Sequence, residues 1–99
     1  MAVLIVSGTI SVDPGRRDEF LEQVLPITVA GRSEPGCLEH LMSPDPLDPG
    51  RLLVFERWAS AEDLERHLAP RADRTPVAVP VLATELVKYE VKESGPLRV

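Results

Sequence analysis

The chain predicts an α+β domain, one antiparallel sheet with helices on a single face. Three observations carry that expectation. Strand-like and helix-like stretches follow one another as strand, helix, strand, strand, helix, strand. Pro- and Gly-containing turn signals separate most of them. Hydrophobic residues make up 43% of 99 residues, enough for a packed core but with room for one domain only, residues 1–99.

Each element has its own warrant. Val3 to Val12 is rich in β-branched residues and reads as a first strand, closed by the turn Asp13-Pro14-Gly15. Arg16 to about Ser33 reads as a helix, because Phe20, Leu21, Val24, Leu25 and Thr28 recur at spacings of three and four. Pro26 lies inside that stripe and predicts a kink or break there. Glu34-Pro35-Gly36 is a stop signal, and Cys37 to Ser43 a second strand. A turn-rich loop, Pro44 to Gly50, leads to a third strand from Arg51 to Trp58. Ser60 then reads as the N-cap of a helix running to about Ala69, with Asp63 three residues on and Glu62 in the first turn. Arg71 to Thr75 reads as a polar loop, Pro76 to Ala83 as a short helix, Thr84 to Glu93 as a fourth strand, and residues 94–99 as a flexible tail.

That order is the split βαβ, or ferredoxin-like, arrangement. A sheet with one wet face alternates apolar and polar residues. Ala2 to Val6 and Leu52 to Phe55 are instead continuous apolar runs, so both faces call for cover while helices serve only one. A second copy packed sheet against sheet supplies the missing cover, which predicts a homodimer.

Charge and cysteine content exclude several classes. Acidic residues outnumber basic ones 16 to 11, for a net charge of -5. With no basic cluster, neither nucleic acid nor an anionic membrane surface is an expected partner. No apolar run is long enough to span a bilayer. The N-terminal segment alternates like a strand and lacks the basic region of a signal peptide. One cysteine, Cys37, cannot form an internal disulfide, which fits a reducing cytoplasm. The glycines are scattered rather than gathered in a phosphate loop, and the two histidines lack matched metal-ligand spacing. No cofactor and no metal is therefore expected.

The stretch from Arg51 to Leu68 holds the only tryptophan and one of the two histidines. Strand alternation puts Leu52, Val54, Glu56 and Trp58 on one face, and Leu53, Phe55 and Arg57 on the other. In the helix that follows, Leu64, His67 and Leu68 share one side, which turns His67 toward the sheet. Such a histidine is either a general base or ligand anchor, or a core histidine hydrogen-bonded to Glu56 or to backbone. Trp58 is either the wall of a pocket for a planar ligand or a core aromatic. Glu56 either orients His67 or pairs with Arg57 or a neighbouring strand. His40, grouped by alternation with Leu38 and Met42, either meets the pocket from the second strand or is solvated at its rim. Tyr89 carries the same two readings on the fourth strand. Cys37 reads as a small buried hydrophobe.

The segments VDPGRRDEFLEQ, SEPGCLEHLMSPDPLDPGRLLVFERWASAEDLERHL and VKYEV resemble the antibiotic biosynthesis monooxygenase family, whose members are small dimeric α+β barrels. The E-P-G-C-L turn and the F-E-R-W…H-L pairing are the most specific parts. The resemblance implies a homodimer with facing sheets and a pocket between sheet and helices in each subunit. It implies cofactor-independent oxidation of a planar phenolic, quinol or polyketide-like aromatic by O₂, with Trp58 and His67 as catalytic residues. Glu56, Val54, His40, Leu64 and Tyr89 are then the expected substrate-binding residues. His40 stands where many members have tyrosine. The chain contains no asparagine, which argues against the haem degradation of some relatives. The segment PRADRTPVAVPVL lacks the His-Phe pair often found there. The alternatives are an isomerase or tautomerase using the same base, and a binding module without catalysis.

Overall fold

The structure, a computed structural model, describes residues 2–74 and 76–98. Four strands, β1 (Leu4–Ser11), β2 (Cys37–Pro44), β3 (Arg51–Trp58) and β4 (Ala83–Glu90), form one sheet in the order β2-β3-β1-β4. Every neighbouring pair is antiparallel. Helix α1 (Arg17–Arg32) follows β1 after a short 3-10 turn, and α2 (Ala61–Leu68) follows β3. This is the ferredoxin-like arrangement that the element order predicts. The shortest dimension of the molecule is 19 Å, the depth of one sheet and one helical layer. No helix among the described residues is long and apolar enough to cross a membrane.

Local chemistry accounts for the element ends. Asp13 accepts a hydrogen bond from the Gly15 N–H and turns the chain out of β1. Ser60 caps α2: its hydroxyl oxygen accepts from the Asp63 N–H at 3.2 Å while its O–H donates to the Asp63 carboxylate at 2.8 Å. Gly8, in the middle of β1, has φ +155°, and an added Cβ would stand 1.8 Å from the Glu85 carbonyl oxygen. The β1–β4 pair therefore closes over a position with no room for a side chain.

Three expectations change. Helix α1 runs unbroken through Pro26, because Pro26 and Glu22 one turn earlier are exposed and water can satisfy the carbonyl that proline leaves without a donor. Residues 76–82 form no helix. Gln23 Oε1 accepts from the N–H groups of Ala78 and Val79 at 2.9 and 3.1 Å, pinning the segment against α1. Val79 is thereby buried with Val12, Phe20, Val24 and Leu52, the larger of two core clusters. The fourth strand starts one residue earlier than predicted and ends at Glu90. Thr75 and Val99, at the ends of the predicted loop and tail, lie outside the described residues.

The second core cluster is Leu4, Trp58 and Leu64, with Val6 and Cys37 against it. It occupies the end of the sheet where β1 begins and β3 ends. The opposite sheet face carries Ile5, Leu41, Leu53, Phe55, Val87 and Tyr89, and no element of the chain lies over it among the described residues.

Candidate functional site

The smaller core cluster continues into a group of polar side chains, and three elements deliver them. Strand β3 supplies Glu56 and Trp58 on the helix-facing side, and the indole Nε1–H donates to Glu56 Oε1 at 3.0 Å. Trp58 is fully buried.

Strand β2 supplies His40 by way of an irregularity. Its register with β3 shifts between Cys37 and Glu39, so Leu38 is an extra residue. A β-bulge of this kind turns the strand by one position. Cys37 pairs with Trp58 and His40 with Glu56, so both face the helices despite their odd spacing. Leu38, which alternation groups with His40, is exposed instead. The His40 ring rests on Gly31 of α1, where a Cβ would come within 3.2 Å of it. Gly31 lies in the last turn of α1, and its missing side chain makes room for the imidazole. Arg32 Nε donates to the His40 carbonyl at 2.8 Å.

Helix α2 supplies His67, which is 8% exposed. Leu64, one turn earlier, packs on Leu4 and Trp58. Leu68, predicted on the same side, is 61% exposed, because the buried stripe of this short helix is only two residues wide. The partner of His67 is Glu34, read from the sequence only as part of a stop signal. The Nδ1–H donates to Glu34 Oε2, since a carboxylate oxygen can only accept. The turn after α1 places Glu34: Cys37 N–H donates to the Glu34 carbonyl at 3.1 Å, Gly36 adopts φ +79°, and Ala59 N–H donates to the Gly36 carbonyl at 2.8 Å. The segment after α2 closes the site. Arg71 donates to Glu34 Oε1, and Arg74 donates to the His67 carbonyl. Neither arginine carries a signal in the sequence beyond polarity.

The rings stack closely. His67 and Trp58 lie 4.6 Å apart between centroids at 31°, and His40 stands edge-on to both. Glu56 sits between the histidines, 3.6 Å from His40 Nε2 and 3.8 Å from His67 Nε2. Burial holds the His40 imidazole below its ordinary pKa, and the nearby Glu56 carboxylate only partly offsets this. Burial likewise pushes the Cys37 thiol up, helped by Glu34 and Glu56, so the thiol stays protonated.

Of the residues singled out from sequence, Trp58, Glu56, His40, His67 and Leu64 come together. Val54 shares their sheet face two residues before Glu56 and is buried. Tyr89 does not join them. It pairs with Ile5, one position out of step with the Leu4–Trp58 pair, so the pleat turns it to the opposite face, where it is 53% exposed. The cluster is nearly closed: at His67 an opening of about 20 Å³ remains between Glu34, Asp63 and Arg71. A groove of about 290 Å³ runs along the β2 edge past Arg32, Cys37 and His40.

Comparison with known proteins agrees with this architecture. Residues 3–72 match the antibiotic biosynthesis monooxygenase family. A crystal structure of a candidate antibiotic biosynthesis monooxygenase from Deinococcus radiodurans is 27% identical and superposes with a TM-score of 0.84, covering 97% of this chain and 99% of that one. One from Caulobacter crescentus is 25% identical with a TM-score of 0.71, covering 93% and 92%. An uncharacterized protein of Synechocystis is 31% identical over 64 residues, 65% of this chain. The chain spans 44% of the length of that curated relative.

Proposed function

The chain belongs to the antibiotic biosynthesis monooxygenase family, and from that premise we propose that it oxygenates a planar phenolic or quinol-like compound with O₂ and no added cofactor. One observation carries the reading: a buried histidine, His67, whose Nδ1–H is held by Glu34. That bond orients the ring and leaves the Nε2 lone pair as a proton acceptor. His67 Nε2 removes the phenolic proton, and the electron-rich anion passes one electron to O₂. The radical pair recombines at carbon to give a peroxide. Loss of water leaves one oxygen atom on the ring, so the substrate supplies every electron the reaction needs.

Access follows from the surroundings. The opening at Glu34 and Arg71 lies on the Nδ1 side of His67 while Nε2 faces Glu56, so an aromatic ring reaches Nε2 only when the surrounding side chains move. Trp58, with one face against His67, excludes water from the base more than it offers a stacking surface. His40, beside the larger groove, is the alternative base. In this reading the working unit is a homodimer that covers the apolar sheet face of each copy. A non-oxidative isomerase would use the same base without O₂, and a binding module would turn nothing over.

The test is oxygen consumption by the purified protein, in EDTA, with a panel of hydroquinones, naphthols and anthrones. Uptake stoichiometric with quinone formation supports the proposal. Substrate conversion without oxygen uptake replaces it with the isomerase, and binding without conversion replaces it with the binding module.

A further inference from the structure

Beyond the proton-transfer role, we infer that His40, Glu56 and His67 form a binding site for one first-row divalent transition cation. The three come from β2, β3 and α2, and one ligand atom from each lies within 4.8 Å of the others. The imidazole nitrogens flank a single carboxylate, with Nε2 of His40 at 3.6 Å and Nε2 of His67 at 3.8 Å. Ligands about 2.0–2.1 Å from a tetrahedral zinc stand about 3.4 Å from one another. Small rotamer adjustments therefore bring the set to a coordination sphere.

His67 Nδ1 is bonded to Glu34, so Nε2 is the nitrogen left to face Glu56 and His40. A histidine whose other nitrogen donates to a carboxylate is also the usual second-sphere support of a metal ligand. Trp58 Nε1–H fixes Glu56 in the same way. Two imidazoles and one carboxylate suit zinc, iron(II) or cobalt(II) better than calcium or magnesium.

A cation on His67 Nε2 takes the lone pair that the oxygenase reading uses as its base, so the loaded form would not turn over by that route; the inference does not rest on the oxygenase reading, and its test uses no substrate. Tag-free protein is stripped with EDTA, dialysed and titrated with cobalt(II), whose visible d–d bands report the ligand field. The expected result is saturation at one equivalent, displacement by zinc(II), and a higher melting temperature with either ion. Glu56→Gln keeps the shape and the Trp58 contact but removes the charge, and His40→Gln removes one nitrogen. Each should abolish the cobalt bands while circular dichroism shows an intact fold. Glu34→Gln should weaken binding about 10- to 100-fold. The absence of d–d bands in the wild-type protein at millimolar cobalt would overturn the inference. So would full binding by both Glu56→Gln and His40→Gln, or a thiolate charge-transfer band lost in Cys37→Ser. Oxygen uptake can fail while cobalt binds, so the two proposals fall separately.

Discussion

His67 holds a position in which structural and catalytic roles overlap. Its burial against Trp58 and its bond to Glu34 make it part of the packing. His67→Ala leaves a buried carboxylate short of a donor, which costs about 1–3 kcal/mol. The melting temperature should fall, and turnover of the remaining folded protein should fall about 10²- to 10⁴-fold. Rate and melting temperature measured on one preparation decide the matter: lowered stability with normal turnover removes His67 from the mechanism. His40 makes a separate prediction. Its folded pKa is depressed by burial, so the unfolded chain takes up a proton first as pH falls below about 6.5. The neutral form thus contributes stability that is present above that pH and lost below it. Glu56, His67, Glu34 and Arg32 surround the ring and modulate the loss. Urea midpoints between about pH 7.5 and 5.5 should decline for the wild type and decline less for His40→Gln. Superimposable profiles would dismiss His40 as the titrating group.

At the scale of elements, the strand pair β1–β4 depends on a missing side chain. Gly8 pairs with Leu86, and its φ of +155° lies where L residues are rarely found. Gly8→Ala must push Cβ against the Glu85 carbonyl, and the backbone of a central strand cannot yield cheaply. A loss of more than about 4 kcal/mol is expected, beyond the usual range for a single substitution. Chemical denaturation would measure it, and a loss under about 1 kcal/mol would show that β4 can move off β1. Element positions were largely legible, because strand period, cap and breaker residues act over a few neighbours. Ser60 caps α2 as its spacing with Asp63 predicts. The break expected at Pro26 does not occur, because its effect depends on which side of the helix it occupies, and only packing reveals that.

For the whole molecule, the open question is the cover of the second sheet face. Ile5, Leu53, Phe55, Val87 and Tyr89 line it, and no third layer lies there among the described residues. Sedimentation at micromolar concentration should give a mass near twice 10.9 kDa. Phe55→Asp puts a charge in the middle of that face and should dissociate or unfold the assembly, since an unpaired buried charge costs about 3–5 kcal/mol. A stable wild-type monomer would rule out sheet-to-sheet pairing at that concentration.

Periodicity and rare residue types are enough to specify the order of elements, the ferredoxin-like class, and the candidacy of Trp58, Glu56, His40 and His67. Tertiary structure decided which of them meet. The bulge at Leu38 sets the face of His40, and strand register turns Tyr89 away. Glu34 reaches His67 across 33 residues of chain. Each of these depends on backbone pairing and packing between distant segments, and a one-position slip in a strand exchanges its two faces.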